Sequence, residues 1–211
     1  MAKSASEKPD LFRFDRESFP GCGLLCGTDE AGRGPLAGPV FAAAVILGPD
    51  VYIEGLNDSK KLSEKKRGLL YDEITEKALC WSVQSVSPQE IDEINILAAS
   101  MKAMALAVAA LPLTPELVIA DGNRTPPVPV PVQAIVRGDG RSACIAAASV
   151  LAKVSRDRFM LQMHEKYPQY RFDLHKGYPT ELHYQMIAEH GVSEIHRRSF
   201  LKTLDRHIGG R

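Results

Sequence analysis

Four carboxylates stand where apolar segments stop, and their placement is the first sign of chemistry in the chain. Asp29 and Glu30 follow Gly23-Leu-Leu-Cys-Gly-Thr28, Asp121 follows Leu117-Val-Ile-Ala120, and Asp139 comes just after Val132-Gln-Ala-Ile-Val136. If those segment ends lie together, like charges a few ångströms apart repel by kilocalories unless cations join them. Oxygen-only ligands select hard ions, magnesium or manganese, over zinc or copper. Taken singly, each acid has a plainer meaning. Asp before Gly, as in Asp121-Gly122 and Asp139-Gly140, is usually a turn residue, and Asp29-Glu30 reads equally well as a solvated turn. It is the recurrence at successive strand ends that favours a metal centre. Along a regular strand Asp29 and Glu30 would face opposite ways. Both serve one site only if the strand breaks there, and Ala31-Gly32 supplies a break.

The elements that must carry these acids alternate between strand and helix. Gly23–Thr28, Val40–Leu47, Trp81–Val86, Leu117–Ala120 and Val132–Val136 read as strands, short and apolar or alternating with period two. Ser63–Ala78 is a helix with Leu69, Leu70 and Ile74 on one side. A helix from Ser87 has Ser87 as N-cap, Pro88 in first position and Glu90 completing a capping box. Ile91, Ile94, Leu97, Met101, Met104 and Val108 form its apolar stripe. Arg141 to about Tyr167 is a long helix whose Ala146-Ala147-Ala148 allows close approach to a sheet, and a shorter helix runs from Thr180 to about His190. Alternation of this kind implies an α/β fold. The first pair of strands, joined by a turn and not a helix, are expected to be antiparallel neighbours, so the sheet is mixed.

At 211 residues, 45% apolar and 25% charged, the chain has the composition of an ordinary globular protein with a sizeable core. One catalytic domain is expected over 1–211, with a loose N-terminal arm at 1–20 and a helical C-terminal segment at about 180–211. There is no apolar run of membrane-spanning length and no secretory signal, so the cytoplasm is the expected compartment. Cys22, Cys26, Cys80 and Cys144 are too scattered for a disulfide framework or a zinc site and read as free, mostly buried thiols. Lys+Arg and Asp+Glu both number 26, so net charge offers no hint of a polyanionic partner; only local patches could bind one.

Gly32-Arg-Gly-Pro-Leu-Ala-Gly38 nearly matches a dinucleotide fingerprint, but the spacing is long, Pro35 and Pro39 obstruct, and a strand follows where a helix is required. It offers instead exposed amides and one guanidinium beside the acids, suited to a phosphate or sugar, or else merely a tight turn. Basic residues gather at Lys60, Lys61, Lys65, Lys66 and Arg67, at Arg137 and Arg141, at Lys153, Arg156 and Arg158, and at Arg197, Arg198, Lys202, Arg206 and Arg211. Each run alone is more often a solvated face; beside buried acids they suggest a substrate with a negative backbone. Tyr178, in a Gly/Pro loop, is placed to stack on a sugar or base or to pack in the core. His164, His183 and His190 show no metal-ligand pattern and receive no chemistry.

At these residues the chain resembles a known family. Gly27-Thr-Asp-Glu-Ala-Gly-Arg-Gly-Pro-Leu-Ala-Gly-Pro-Val40 is similar to the opening motif of bacterial ribonuclease HII, of the type 2 ribonucleases H. Asn57-Asp-Ser-Lys-Lys-Leu62, Ile119-Ala-Asp-Gly-Asn123, Gly138-Asp139, Ala146–Asp157, His175-Lys-Gly-Tyr-Pro179 and His196-Arg-Arg-Ser-Phe200 resemble its later motifs in order. The resemblance implies an RNase H-like mixed five-stranded sheet flanked by helices. It also implies an endonuclease cutting the RNA strand of RNA–DNA hybrids, and cutting 5′ of single ribonucleotides in duplex DNA to leave 3′-hydroxyl and 5′-phosphate ends. On it, Asp29, Glu30, Asp121 and Asp139 hold two divalent ions, Mn²⁺ or Mg²⁺, one activating water and the other steadying the leaving oxygen. Gly32, Arg33 and Gly34 sense the ribose 2′-hydroxyl, Tyr178 stacks on the neighbouring sugar, and Lys60 lies near the phosphates. Asp157 is expected to be structural, and Arg137 stands where Lys is common. A monomer is expected, and the sequence leaves a sliding-clamp partner open. Three rivals carry less weight. A silent nucleic-acid binder would not need all four carboxylates. A phosphatase of small esters would need neither the Arg33 turn nor the basic runs. The sister family, ribonuclease HIII, carries a large N-terminal binding domain with no counterpart here.

Overall fold

The structure, a computed structural model, describes residues 10–202; the expected basic positions Arg206 and Arg211 and the first nine residues lie outside that range. Five strands form one sheet in the order β3-β2-β1-β4-β5. They are β1 (Leu25–Ala31), β2 (Val40–Ile46), β3 (Cys80–Val86), β4 (Leu117–Asp121) and β5 (Val132–Ile135). As expected, β1 and β2 are antiparallel, and so are β2 and β3, whereas β4 runs parallel to both β1 and β5. The sheet is therefore mixed, and β1, β4 and β5 all end at the same edge.

Helices cover both faces. On one side lie α1 (Leu11–Ser18), α2 (Glu64–Lys77) and α5 (Ala143–Lys166), sharing a core with Val45, Ile119 and Ile135. On the other lie α3 (Pro88–Ile94) and α4 (Ile96–Ala109), packed on Val40, Ile46 and Val118. The alanine run of α5 does bring it against the sheet: Ala146, Ala147 and Ala148 are wholly buried. Gly27 on β1 is the matching half of that approach, since an added Cβ would stand 2.1 Å from the carbonyl carbon of Cys144. A satellite core of Met160, Tyr170, Phe172 and Ile195 sits under α6 (Phe172–His175) and α7 (Glu181–His190).

Four expectations need correction. Residues 11–18 are not a loose arm: Asp10 caps α1 by accepting the Arg13 N–H, Leu11 and Phe12 are buried, and Asp15 accepts the Cys144 N–H at 3.0 Å, closing the start of α5. The helix from Ser87 is two helices, because Asn95 takes φ +69° and its side chain caps α4 through Leu97 and Ala98. Ser87 does cap α3, but the Glu90 carboxylate bonds Lys102, leaving half of the capping box. Leu69 is 64% exposed, so the buried face of α2 is formed by Leu70 and Ile74.

The thiols are free as expected, with Cys26, Cys80 and Cys144 buried. No helix among the described residues is long and apolar enough to cross a membrane.

Candidate active site

The shared edge of β1, β4 and β5 gathers the acids. In register, Thr28 of β1 lies opposite Ala120 of β4, which sets Asp29 beside Asp121; Asp121 in turn lies opposite Ile135 of β5. The chain leaves β5 through Arg137, at φ +55°, into a single helical turn at Gly138–Gly140. Gly138 lets that turn rest on α5, since a Cβ there would meet the Ile145 side chain at 2.5 Å. Asp121 Oδ1 accepts the Gly138 N–H at 2.6 Å and fixes the turn, so Asp139 is delivered to the same spot from outside the strand. One carboxylate oxygen from each of Asp29, Asp121 and Asp139 lies within 4.8 Å of the others.

Glu30 is not one of that trio. Pairing with β2 continues through Glu30 and Ala31, opposite Ala42 and Phe41, so the strand does not break at the acids; the turn comes afterwards, at Gly32 with φ +100°. Glu30 holds Arg33 across 3.3 Å instead. It stays near enough to act on the trio electrically. Burial pushes the Asp29 carboxyl well above the usual range, with the charges of Glu30 and Asp121 adding to it. Burial likewise raises Asp121, helped by Asp139, and raises Glu30 against the pull of Arg33. Two buried acids, Asp29 and Asp139, with the half-buried Asp121 between them have the donor set of a hard divalent cation.

Cations and hydroxyls surround the acids. Asp58 accepts the Lys60 N–H, shaping the turn at Ser59–Lys61, and Ser59 Oγ meets Ser149 Oγ of α5 at 2.8 Å. That turn brings Lys60 Nζ to 2.9 Å from Asp139. Partial burial opposes the Lys60 charge, but the bond and the charge of Asp139 outweigh it and raise its pKa. Ser149, in the small-residue run of α5, also lies near enough to Asp29 to oppose the rise in its pKa. Lys61, Arg137 and Arg141 line the cleft beside Asp121 and Asp139. Asp157, on α5, is paired to Lys153 at 2.7 Å.

The glycine turn is held from behind by two arginines that sequence reasoning placed among solvated basic runs. Arg156 and Arg197 are each 0% exposed. Arg197 donates to the carbonyls of Gly32, Arg33 and Gly38 at 2.6, 3.0 and 2.9 Å. Arg156 donates to Ala37, Pro39 and Lys176 at 3.1, 3.3 and 3.0 Å. Burial lowers both guanidinium pKa values, Arg197 to about 9. A Cβ on Gly32 would stand 2.2 Å from Arg156 Nε, so only glycine fits. A trans peptide points its N–H opposite to its C=O. Carbonyls 32 and 33 face Arg197, so the amides of Arg33 and Gly34 point the other way. Arg33 itself is half-exposed, and Gly34 has open space around it.

Tyr178 is at the surface, 37% exposed, with its ring over Lys153 Nζ at 5.6 Å and the Arg156 guanidinium at 5.5 Å. Its loop is tied to the glycine turn by the Leu36 N–H to Gly177 carbonyl bond at 2.8 Å.

Comparison with known proteins agrees with this arrangement. A family model described as Ribonuclease HII matches residues 26–203. A ribonuclease HII from Idiomarina loihiensis is 63% identical over 177 residues, covering 84% of this chain and 95% of that protein. Among solved structures, ribonuclease H2 from Pyrococcus horikoshii OT3 superposes with TM-score 0.71 at 25% identity, over 89% of this chain and 99% of that one. The RNase HII of the PCNA complex from Archaeoglobus fulgidus gives TM-score 0.64 at 27% identity, over 82% and 93%. Bst-RNase HIII in complex with Mn²⁺ gives TM-score 0.67 at 17% identity over 91% and 71%, a likeness of fold alone.

Proposed function

Because the chain belongs to the ribonuclease HII family and is thereby a ribonuclease H, an endonuclease on the RNA of RNA–DNA hybrids, we propose that it also cuts 5′ of single ribonucleotides embedded in duplex DNA, using two divalent ions. The observation that carries the metal half of this reading is the convergence of Asp29, Asp121 and Asp139 within 4.8 Å, with Glu30 at its margin. These residues would hold Mn²⁺ or Mg²⁺, which supplies an activated water and a counter-charge for the leaving 3′-oxygen.

The chain's own groups account for the rest. The outward amides of Arg33 and Gly34 offer donors to a phosphate or to the 2′-hydroxyl, the one chemical mark of a ribonucleotide among deoxyribonucleotides. Gly32 lets that turn lie against Arg156, where a side chain would not fit. Lys60, 74% exposed along its side chain, is a counterion that can exchange Asp139 for a substrate phosphate. Tyr178 presents a ring face to the sugar beyond the junction, backed by Lys153 and Arg156. We place the protein in the cytoplasm as a monomer that carries the site within one chain. The Archaeoglobus fulgidus neighbour was solved bound to PCNA, and that supports a sliding clamp as a partner here.

The test is a duplex carrying one ribonucleotide, incubated with purified protein with and without Mn²⁺, and the cut mapped at both ends. Cleavage 5′ of the ribonucleotide that depends on the ion is the expected result. Cleavage confined to long hybrids, or independent of divalent ions, would overturn the reading.

A further inference from the structure

Three histidines outside the acidic cluster are buried together: His175, His183 and His196 are 7%, 0% and 3% exposed. Their bonds fix every proton. The Ser193 N–H donates to His196 Nδ1 at 2.9 Å, so that nitrogen is bare and His196 Nε2 carries the hydrogen. His196 Nε2 lies 3.1 Å from His183 Nε2, which must accept. His183 Nδ1 therefore carries its hydrogen and donates it to the Tyr178 carbonyl at 3.0 Å. His175 stacks on His183 with centroids 4.2 Å apart, accepts the Gly177 N–H and donates to the Tyr170 carbonyl. Burial holds His183 down to about 3 and His196 to about 4, which keeps the rings neutral.

The far end of this chain of bonds is the glycine turn. His196 bridges Ala37 in antiparallel fashion, the Gly38 N–H reaches the Ile195 carbonyl, and the Arg197 N–H reaches the Leu36 carbonyl, each bond 2.8 Å. We propose that His183 and His196 are positioning residues that set the distance between the Tyr178 ring and the Gly32–Gly34 turn. They thereby fix the register between sugar stacking and 2′-hydroxyl recognition. The inference rests on Tyr178 touching substrate, as proposed above. It goes beyond that reading because neither histidine meets the substrate.

A double-mutant cycle tests it. His183→Phe keeps the buried ring and removes both bonds. It should lower kcat/KM on a single-ribonucleotide duplex about tenfold, the worth of roughly one buried hydrogen bond. His183→Asn, whose amide reaches the Nδ1 position, should recover most of that loss. In a Tyr178→Ala background His183→Phe should add nothing further. His196→Leu breaks the chain one ring away and should show the same dependence on Tyr178, which keeps the test usable if His183→Phe does not fold. Equal losses with and without Tyr178 would overturn the positioning role alone. A Tyr178→Ala variant with unchanged kinetics would overturn the substrate role of Tyr178, and the positioning role with it.

Discussion

Asp29→Asn should stabilise the metal-free protein and weaken the metal-loaded one. Three carboxylate oxygens within 4.8 Å of one another repel by about 3 kcal/mol per charged pair at an effective dielectric of ~20. Burial and the charges of Glu30 and Asp121 raise the Asp29 carboxyl, so ionising it in the folded protein costs free energy. Lys60 offsets some of the charge on Asp139. Removing one charge should therefore recover about 2–3 kcal/mol, a rise in Tm of roughly 4–8 °C for a chain of this size. The sign with pH follows from linkage. A carboxyl whose folded pKa is raised carries no penalty below its unfolded value near 3.8, and the penalty grows as pH climbs through the folded value. The gap between variant and parent should thus be open at pH 8 and close toward pH 4. Saturating Mn²⁺ reverses the order, because a hundredfold excess over Kd adds about 2.7 kcal/mol to the parent and much less to a variant lacking one ligand. Differential scanning calorimetry in chelator and in Mn²⁺ reads all of this. A variant that melts below its parent in chelator at pH 8, or that gains as much from Mn²⁺, would refute the reasoning.

Arg197→Lys replaces a fork that holds three carbonyls with a single ammonium; it should cost about 2–4 kcal/mol by urea denaturation and reduce cleavage of hybrids. Gly32→Ala forces a Cβ against Arg156 at positive φ and should slow cleavage by more than about tenfold, while the Mn²⁺-induced rise in Tm persists. Leu11→Ala should cost about 2–3 kcal/mol by urea denaturation yet leave kcat/KM unchanged, because α1 covers the face of the sheet and touches none of the acids.

The sheet and the acids are legible because each rests on a local pattern: apolar runs that stop at Asp29 and Asp121 and shortly before Asp139, and alanines that permit α5 to lie close. What escaped depends on contacts distant in sequence. A cation turned to solvent and one turned to carbonyls look alike in sequence, so the burial of Arg156 and Arg197 is not legible there. The apolar stripe keeps its phase across Asn95, which hides the break between α3 and α4. Helix α1 has 8 residues, too few to show a period, and it is held by docking and not by propensity. Glu30 is a different case: its partner Arg33 is only three residues on, and the pairing follows from how the turn closes.

The paired guanidiniums beneath the glycine turn have a consequence for how discrimination would be achieved. A loop free to close over its ligand must lose conformational entropy at each encounter, whereas this one has its carbonyls anchored once, when the chain folds. On the proposed activity, choice between ribose and deoxyribose then resembles a gauge with fixed jaws: a sugar either matches the gap or is rejected, with no moving part to wait for.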